Sequence, residues 1–441
     1  MIRPDLLTRQ LTVEIFDAVF RNGKGLEEEY AYRIESLEKK QPLEIRDRTF
    51  IRLLVTTMLR RLGQIDDIIS RFLKKPLPDQ ACYVQDILRV STVQLVFLDT
   101  PAHAAVSTGV SLVKNHRQYS GFSGLTNAVL HRIAKEGKAI CEKQDAAKLN
   151  IPAWLFDKWA KEYGSAVARK IAESGLTEAP LDFSVKDNPE TWAEKLEAVI
   201  MPTGTVRREK PASVPQLPGY EEGVWWIQDL SASLPARLFH TLKQKRTIDL
   251  CAAPGGKTAQ MLLAGAHVTA VDVSEKRIKR LKENLDRLGF EAQTVCDDIQ
   301  QWWEKNHQKL QKFDAVLLDA PCSATGTLRR HPDVVRHRTP QDIIRLSATQ
   351  KQLLKTAVQM MADDAELIYC VCSVLPEEGR LIIDDAVQSG FVERVPLNGT
   401  EVPQEMITTD GDLLVFPFFY ESSGGCDGFY AARLKKKEKE V

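Results

Sequence analysis

Two cysteines lie in similar sequence contexts, each after a predicted strand, and both could act as nucleophiles. Cys322 stands in Asp319-Ala-Pro-Cys-Ser and Cys372 in Tyr369-Cys-Val-Cys-Ser. A thiolate that adds to carbon-6 of a cytosine or uracil ring makes carbon-5 nucleophilic, so that carbon-5 can attack a methyl donor. A carboxyl group at ring nitrogen-3 can hold or donate a proton as charge builds there, and Asp319 is placed for that part. These residues alone leave open which cysteine attacks.

The cysteines also have two plainer interpretations. Buried cysteines are often inert core residues. Metal ligation would need His or Cys partners at regular spacing, and the eight cysteines include no Cys-x-x-Cys pair. Nucleophilic catalysis is favoured because the loops after neighbouring strands of one sheet open at the same edge, which would bring Cys322 and Cys372 together.

Residues 249–258, Asp-Leu-Cys-Ala-Ala-Pro-Gly-Gly-Lys-Thr, form a turn rich in small residues. One interpretation is the phosphate-binding loop of an ATPase, but that loop needs a glycine where Cys251 stands. The other is a turn that lets the backbone approach an adenosyl ligand closely. Asp272 favours the second interpretation, because a carboxylate at the end of the next strand can bind both ribose hydroxyls and would repel a triphosphate.

An alternation of strands and helices predicts how these groups are positioned. Strands are predicted at 247–250, 268–271, 292–295, 313–318 and 366–372, and helices begin at Lys257 and after Ser274, which can cap its helix. Most of these strands end at acidic or polar residues. The pattern predicts an open, doubly wound α/β sheet that binds its ligand at the carboxyl edge.

The length of 441 residues suggests two to four domains at about 100–200 residues each. Residues 1–142 show apolar stripes at helical spacing, such as Ile65, Ile68 and Ile69, and predict an all-α bundle. A Pro- and Gly-rich stretch predicts a small α+β connecting domain at 143–240, in which a helix is expected over 231–242. Residues 241–438 are predicted to form the α/β domain.

Charge excludes some classes of partner. Lys+Arg and Asp+Glu both number 60, which argues against a protein that coats nucleic acid by bulk charge. The first 150 residues are nevertheless basic, with 23 Lys or Arg against 18 Asp or Glu. A second basic cluster follows Cys322, and we expect it to contact RNA phosphates: Arg329, Arg330, His331, Arg336, His337 and Arg338. With no secretory signal and no long apolar run, a reduced, cytoplasmic protein without a membrane span is expected.

Taken together, these motifs resemble the Sun-type RNA cytosine-C5 methyltransferases. The resemblance rests on residues 249–258, on Asp319-Ala-Pro-Cys322-Ser and on Tyr369 to Ser373. It extends over essentially the whole chain through further stretches: Pro101–Val106, Asn127–Ile133, Trp226–Asp229, Arg330–Asp333, Leu375–Glu378 and Asp427–Tyr430. It implies a multidomain protein with an N-terminal NusB-like RNA-binding bundle and a C-terminal Rossmann-like class I methyltransferase domain. A monomer that acts on small-subunit (16S) ribosomal RNA is expected.

The resemblance also implies a role for each site residue. Cys372 would attack carbon-6, Cys322 would assist release of the methylated RNA, and Asp319 would lie near both the methionine part of the cofactor and the target base. The residues implied to line S-adenosylmethionine are Cys251, Ala252, Ala253, Pro254, Gly255, Gly256 and Lys257, with Asp272 at the ribose and Asp298 or Asp297 at the adenine. No metal site is implied. Val371 stands where the family has Thr.

Two alternative functions remain open at this point. A P-loop-like ATPase would need the turn at 249–258 to bind a triphosphate. A non-catalytic RNA-binding assembly factor would use the helical bundle without the cysteines.

Overall fold

The computed structural model describes residues 4–39, 41–210 and 212–437, which form two compact units. The first unit extends to Leu176 and includes His331–His337, and the second contains Thr177–Arg330 and the chain from Arg338. The three domains at 1–142, 143–240 and 241–438 remain a prediction, and their outermost limits, 1 and 438, lie outside the described residues.

The first unit is all-α, as the sequence predicts. Its helices are α1 (Pro4–Phe20), α2 (Leu26–Glu38), α3 (Ile45–Arg60), α4 (Leu62–Phe72), α5 (Cys82–Val96), α6 (Ala102–Asn115), α7 (Ser123–Cys141), α8 (Ala146–Asn150), α9 (Ala153–Tyr163) and α10 (Ser165–Ser174). The predicted stripe of Ile65, Ile68 and Ile69 is buried on α4, where residues three and four apart share one face. This burial explains why the segment is helical despite its charged neighbours.

The second unit begins with a small antiparallel sheet. It comprises β1 (Leu181–Val185), α11 (Pro189–Lys195), β2 (Val199–Ile200), β3 (Val206–Arg208) and β4 (Trp225–Ile227), in the order β2-β3-β1-β4. The helix predicted over 231–242 is wrong, since the segment forms only short 3₁₀ turns at Ser231–Ser233 and Pro235–Arg237. Pro235 lacks the amide hydrogen that a continuous helix would need.

A large mixed sheet follows and contains the predicted motifs. Its elements are β5 (Arg246–Leu250), α12 (Gly256–Leu263), β6 (His267–Asp272), α13 (Glu275–Arg287), β7 (Gln293–Cys296), α14 (Ile299–Asn306), β8 (Phe313–Asp319), α15 (Val334–His337, part of the first unit), α16 (Pro340–Met360), β9 (Met361–Val371), α17 (Arg380–Gln388), β10 (Val392–Arg394), β11 (Leu413–Val415) and β12 (Phe429–Lys436). The order is β10-β12-β9-β8-β5-β6-β7, and β11 pairs with β12.

The five predicted strands correspond to β5 to β9, which pair in parallel. Strands β10, β11 and β12 pair antiparallel to their neighbours. The carboxyl ends of β5, β6, β8 and β9 therefore carry the small-residue turn, Asp272, Asp319 and the cysteines on one edge. The Rossmann-like sheet is confirmed. Among the described residues, no helix combines the length and apolar character needed to cross a bilayer.

Candidate active site

The two predicted cysteines meet at this sheet edge. The Sγ atoms of Cys322 and Cys372 are 3.4 Å apart, and both residues are partly buried. The register of β8 against β9 explains the meeting, because Asp319 pairs with Cys370 and each reactive cysteine follows within three residues. The prediction that the two loops converge is confirmed.

Close backbone contacts hold the Cys322 loop in place. The Gly326 amide donates to the Cys372 carbonyl at 3.1 Å, and the Gly428 amide donates to the Gly326 carbonyl at 2.8 Å. A Cβ atom on Gly326 would lie 2.0 Å from the Gly428 oxygen, so only glycine fits there. The motif that contains Gly428 thus supports the cysteine loop, which sequence reasoning noted only as a resemblance.

A buried carboxylate links the residues that follow the two cysteines. Glu378 is fully buried, and it accepts hydrogen bonds from the Ser323 amide at 2.7 Å and from the Ser323 hydroxyl. The Ser373 hydroxyl lies 3.1 Å from the Thr325 hydroxyl and 3.4 Å from that of Ser323. Sequence reasoning assigned no role to Glu378, and its neighbour Glu377, which directly follows Val374-Leu-Pro, is only partly buried.

Lys257 contacts Asp319. Its Nζ atom donates to the Asp319 carboxylate at 2.8 Å, and the Cys370 Sγ lies 3.6 Å from the other carboxylate oxygen. Although burial favours the neutral amine, the Asp319 carboxylate raises the pKa of Lys257 above its ordinary value. The predicted cofactor residue and the predicted proton-holding residue therefore form one ion pair.

The small-residue turn folds tightly between β5 and α12. The Gly255 amide donates to the Ala252 carbonyl at 2.9 Å, and Gly255 has a φ of 100°, which favours glycine. Asp272 is buried at the end of β6 and accepts hydrogen bonds from the Ala253 amide at 3.2 Å and the Ser274 amide at 3.1 Å. Ser274 caps α13, as predicted. The turn and the predicted ribose carboxylate are thus held together.

Arg277 is a site residue that sequence reasoning missed. Its Nη1 atom lies 3.0 Å from the Asp272 carboxylate, and its Nη2 atom donates to the Ala253 carbonyl. It therefore connects the end of β6 to the turn. An arginine five residues after a strand-end aspartate was the available signal, since one turn of α13 returns its side chain to the helix start.

Asp249 lies beneath the turn. It is fully buried, one carboxylate oxygen accepts a hydrogen bond from the Thr258 hydroxyl at 2.5 Å, and the other has no partner among the described residues. Burial raises the pKa of Asp249 to about 7, an effect that the Thr258 hydrogen bond opposes and the Asp319 charge increases. Near neutral pH, Asp249 is therefore expected to be present in both its protonated and its ionised form.

The two candidates for the adenine contact lie at the end of β7. Asp298 caps α14 by accepting a hydrogen bond from the Gln301 amide at 3.0 Å. Asp297 accepts from the Asp298 amide at 2.8 Å and lies 3.3 Å from the Lys305 ammonium. Local contacts involve both side chains, and the choice between them stays open.

Two thiols near the site, those of Cys322 and Cys251, have raised pKa values. The hydrogen bond with Cys372, burial and the charge of Glu378 raise the pKa of the Cys322 thiol well above its ordinary value. Burial, Asp319 and Asp272 also raise the pKa of the Cys251 thiol. Both thiols are therefore protonated at neutral pH.

The expectation that the basic cluster contacts RNA phosphates is wrong for Arg329 and Arg330. Arg330 contacts Asp229 at 2.8 Å and Asp427 at 3.2 Å, and Arg329 lies 3.6 Å from the same Asp229. Both arginines are occupied by buried carboxylates of the second unit, which the local sequence gave no means of identifying.

The next residues of the cluster contact helix ends of the first unit. Arg336 donates to the Leu59 carbonyl at 3.0 Å near the end of α3, and burial lowers its pKa to about 10. His337 Nε2 lies 2.7 Å from the Val19 carbonyl near the end of α1. Basic groups are favourable at helix C-termini, so these side chains stabilise the bundle and are not available to phosphates.

Among the described ranges, no group of three or more His, Cys, Asp and Glu side chains could hold a metal ion. The structure therefore adds no metal candidate to the site.

Two family profiles match the chain. Residues 237–435 match the profile described as 16S rRNA methyltransferase RsmB/F, and residues 7–135 match the NusB family. Neither match supports an ATPase or a non-catalytic assembly factor.

Relatives match over nearly the full length. The ribosomal RNA small subunit methyltransferase B of Vibrio cholerae is 33% identical, with 90% of this chain and 92% of the relative covered. That of Pasteurella multocida is 32% identical over 98% of this chain and 96% of the relative. The crystal structure of PH0851 has a TM-score of 0.75 at 20% identity and covers 99% of both chains, so it shows the same fold.

Proposed function

The chain belongs to the 16S rRNA methyltransferase RsmB/F family, and from this premise we propose that it methylates carbon-5 of a cytosine through a covalent cysteine intermediate. It is an S-adenosylmethionine-dependent rRNA methyltransferase with a NusB-like N-terminal domain. The observation that carries the proposal is the approach of Cys322 to Cys372, 3.4 Å between sulfurs, beside Asp319. Methylation at the exocyclic amino group of a base or at a ribose oxygen would not require two adjacent cysteines.

The residues at the carboxyl edge fit S-adenosylmethionine. Small side chains over residues 251–256 leave room for close approach, and Asp272 offers a buried carboxylate for the ribose. Within the described ranges, one oxygen of Asp249 has no hydrogen-bond partner. When bound, S-adenosylmethionine supplies the methyl group as an electrophile. Lys257 and the turn from Cys251 to Gly256 would surround it, with Asp298 at the adenine edge.

The reaction assigns different tasks to the two cysteines. The Cys372 sulfur forms a bond to carbon-6 of the cytosine, and carbon-5 then takes the methyl group. Carbon-5 afterwards loses its proton, and the sulfur–carbon-6 bond breaks to restore the aromatic ring. Cys322, whose raised pKa keeps it protonated, cannot accept the carbon-5 proton, which passes to solvent. Its thiol lies 3.4 Å from the Cys372 sulfur and donates a proton to that sulfur as the bond to carbon-6 breaks.

Asp319 and Lys257 act on the ring during these steps. The base must leave any stack to reach a thiolate, and its nitrogen-3 would then face the Asp319 carboxyl. Because Lys257 donates to Asp319, a proton can be held between the two side chains as negative charge builds on the ring. The pair thus stabilises the ring while it is bound to sulfur.

Covalent trapping tests this proposal. Cys322→Ala should accumulate an RNA adduct that survives denaturing electrophoresis, because release is impaired. Cys372→Ala should form no adduct and no methylcytosine. The reverse pattern would exchange the roles of the cysteines, and the absence of an adduct in both variants would contradict the covalent mechanism.

Ligand protection tests the class of enzyme independently. S-adenosylhomocysteine should raise the melting temperature, whereas ATP with magnesium should not.

Sequencing of methylcytosine in small-subunit rRNA, with and without the enzyme, would identify the target base. A cytoplasmic location, a monomeric state and the three-domain division remain predictions from the sequence.

A further inference from the structure

Glu378 is a buried anion held only by neutral donors. Its carboxylate accepts from the Ser323 amide at 2.7 Å, from the Ser323 hydroxyl and from Gln350 Nε2 at 3.4 Å. Within the part of the chain that the structure describes, no Lys, Arg or His nitrogen forms an ion pair with it. Burial of a carboxylate without a cation is costly, so a purely structural contact would be served better by a neutral side chain.

The position of Glu378 relates it to both cysteines. Ser323, which donates two hydrogen bonds to the carboxylate, directly follows Cys322. Ser373, which directly follows Cys372, joins the same group of hydroxyls through Thr325 and Ser323. One carboxylate therefore connects the two loops immediately behind the sulfur atoms.

We propose that Glu378 is a positioning residue that holds the Cys322 loop against Cys372 and places a carboxylate behind the Cys322 sulfur while Cys372 attacks. The inference rests on the proposed function, because different roles for the cysteines have meaning only in the covalent mechanism. The Cys322 thiol lies 3.4 Å from the Cys372 sulfur and can donate a hydrogen bond to it.

The charged and titratable groups around Cys322 agree with this assignment. Cys372 and Glu378 both raise the pKa of Cys322, and Tyr369 lies close enough to interact with the thiol electrostatically. Arg338 donates to the Ser323 carbonyl at 3.1 Å and contributes positive charge on the other side of the loop. Removal of the Glu378 charge should therefore lower the pKa of Cys322.

The test compares Glu378→Gln, which keeps the shape and removes the charge, with Glu378→Asp, which keeps the charge. The matched control is Glu377→Gln, the same change at the adjacent, less buried position. Alkylation of Cys322 and Cys372 by iodoacetamide is followed against pH by peptide mass spectrometry on the full-length enzyme without RNA or cofactor. Steady-state methylation and melting temperatures are measured on the same variants.

We expect the Cys322 alkylation midpoint to move to lower pH in Glu378→Gln, and kcat to fall by about 10²-fold because the sulfurs are misplaced. The KM for S-adenosylmethionine and the protection by S-adenosylhomocysteine should be unchanged, since the hydrogen bonds of the Glu378 carboxylate in the described residues go to Ser323 and Gln350 and not to the cofactor turn. Glu378→Asp should restore the alkylation midpoint, and Glu377→Gln should behave as wild type.

The proposal is overturned if the Cys322 profile of Glu378→Gln superimposes on that of the wild type, whatever happens to activity. In that case a loss of kcat that follows a lowered melting temperature would assign Glu378 a structural role alone. A failure of the proposed function looks different, because wild-type enzyme would then yield no methylcytosine while the alkylation profiles still report on the Glu378 charge.

Discussion

Two buried charged regions of the second unit differ in how their charges are matched. The arginine–aspartate cluster contains equal numbers of both signs: Asp182, Arg207, Asp229, Arg329, Arg330 and Asp427. Among the described residues around the two cysteines and Asp319, one partly buried cation, Lys257, faces three buried or partly buried carboxylates: Asp249, Asp319 and Glu378. The first region is neutralised within the chain, whereas the second has an excess of acceptors.

This difference in charge matching suggests two roles: paired charges stabilise the fold, and unmatched charges at the sheet edge contribute to the proposed ligand binding. Arg207 and Arg330 meet carboxylates at 2.7 and 2.8 Å, and their hydrogen bonds are used within the protein. At the cysteine site, one Asp249 oxygen has no hydrogen-bond partner among the described residues, and Lys257 lies next to the proposed position of the base. An unmatched buried charge is costly in the empty protein, so its retention points to a role with a bound ligand.

Breaking the matched cluster should give the largest effect. Arg330→Ala removes one partner of both Asp229 and Asp427 and leaves three buried aspartates against two arginines, which should lower the free energy of unfolding by about 3–5 kcal/mol. Urea denaturation followed by tryptophan fluorescence measures this change. Arg345→Ala, which removes an exposed arginine beside Asp342, is the control and should cost under about 1 kcal/mol. Equal effects of the two variants would refute a structural role of the cluster.

The pairing within the arginine–aspartate cluster could not be predicted from the sequence. Arg330 was read with its neighbours in the chain as part of an RNA-binding patch, but its partner Asp229 lies 101 residues away. No local pattern distinguishes a basic side chain that folding neutralises from one left exposed. The helix expected over 231–242 failed for a related reason, because tertiary packing and Pro235 favoured short 3₁₀ turns.

The parallel strands and the cysteines, in contrast, followed from local signals. Strands β5 to β8 begin and end within about one residue of their predicted limits, because buried apolar runs end in turn residues. The meeting of Cys322 and Cys372 then follows from the adjacency of β8 and β9. The spacing of Arg277 after Asp272 was a usable signal, whereas the contribution of Glu378 depends on which loops fold over the sheet edge.

Removal of the single cation from the cysteine site should affect chemistry more than stability. Lys257→Met leaves Asp319 without its hydrogen-bond donor and should reduce methyl transfer by about 10²-fold, the typical cost of one preorganised donor. Incorporation of labelled methyl groups into rRNA measures the rate, with melting temperature recorded in parallel. Lys282→Met, at an exposed position of α13, should retain full activity. Loss of activity explained entirely by unfolding would place Lys257 with the structural charges.

The buried carboxyl group of Asp249 should make the free energy of unfolding depend on pH, with a sign that its pKa predicts. Its pKa of about 7 in the folded state exceeds the value of an exposed aspartate, so the folded protein keeps a proton that the unfolded chain has released. Its contribution to stability is complete below about pH 4 and is lost as the pH rises through 7.

Asp249→Asn should therefore gain stability relative to wild type as the pH increases. The difference in unfolding free energy should grow by about 2 kcal/mol between pH 5 and pH 8. Asp427 has a pKa raised to a similar value, chiefly by burial, so both proteins retain some pH dependence and only their difference is diagnostic. A difference that stays constant with pH would mean that Asp249 is ionised over the whole range. The pKa of Asp249 in the folded protein would then not be raised.

The smallest effect is expected for Arg277, which lies at the proposed cofactor turn but is paired with a carboxylate, as the arginines of the arginine–aspartate cluster are. Arg277 matches the charge of Asp272, as in the arginine–aspartate cluster, yet Asp272 is the predicted ribose contact and must offer the same oxygens to a ligand. Because the Arg277 side chain is 52% exposed, water screens the pair, and Arg277→Lys should weaken S-adenosylhomocysteine binding by at most about tenfold. Calorimetric titration measures the affinity, with the exposed Arg280→Lys as control. Since lysine keeps the charge but cannot reach both Asp272 and the Ala253 carbonyl, a loss here isolates geometry from charge. An affinity unchanged from wild type would show that the turn alone orients Asp272, and that a matched pair at this edge is as replaceable as one on the surface.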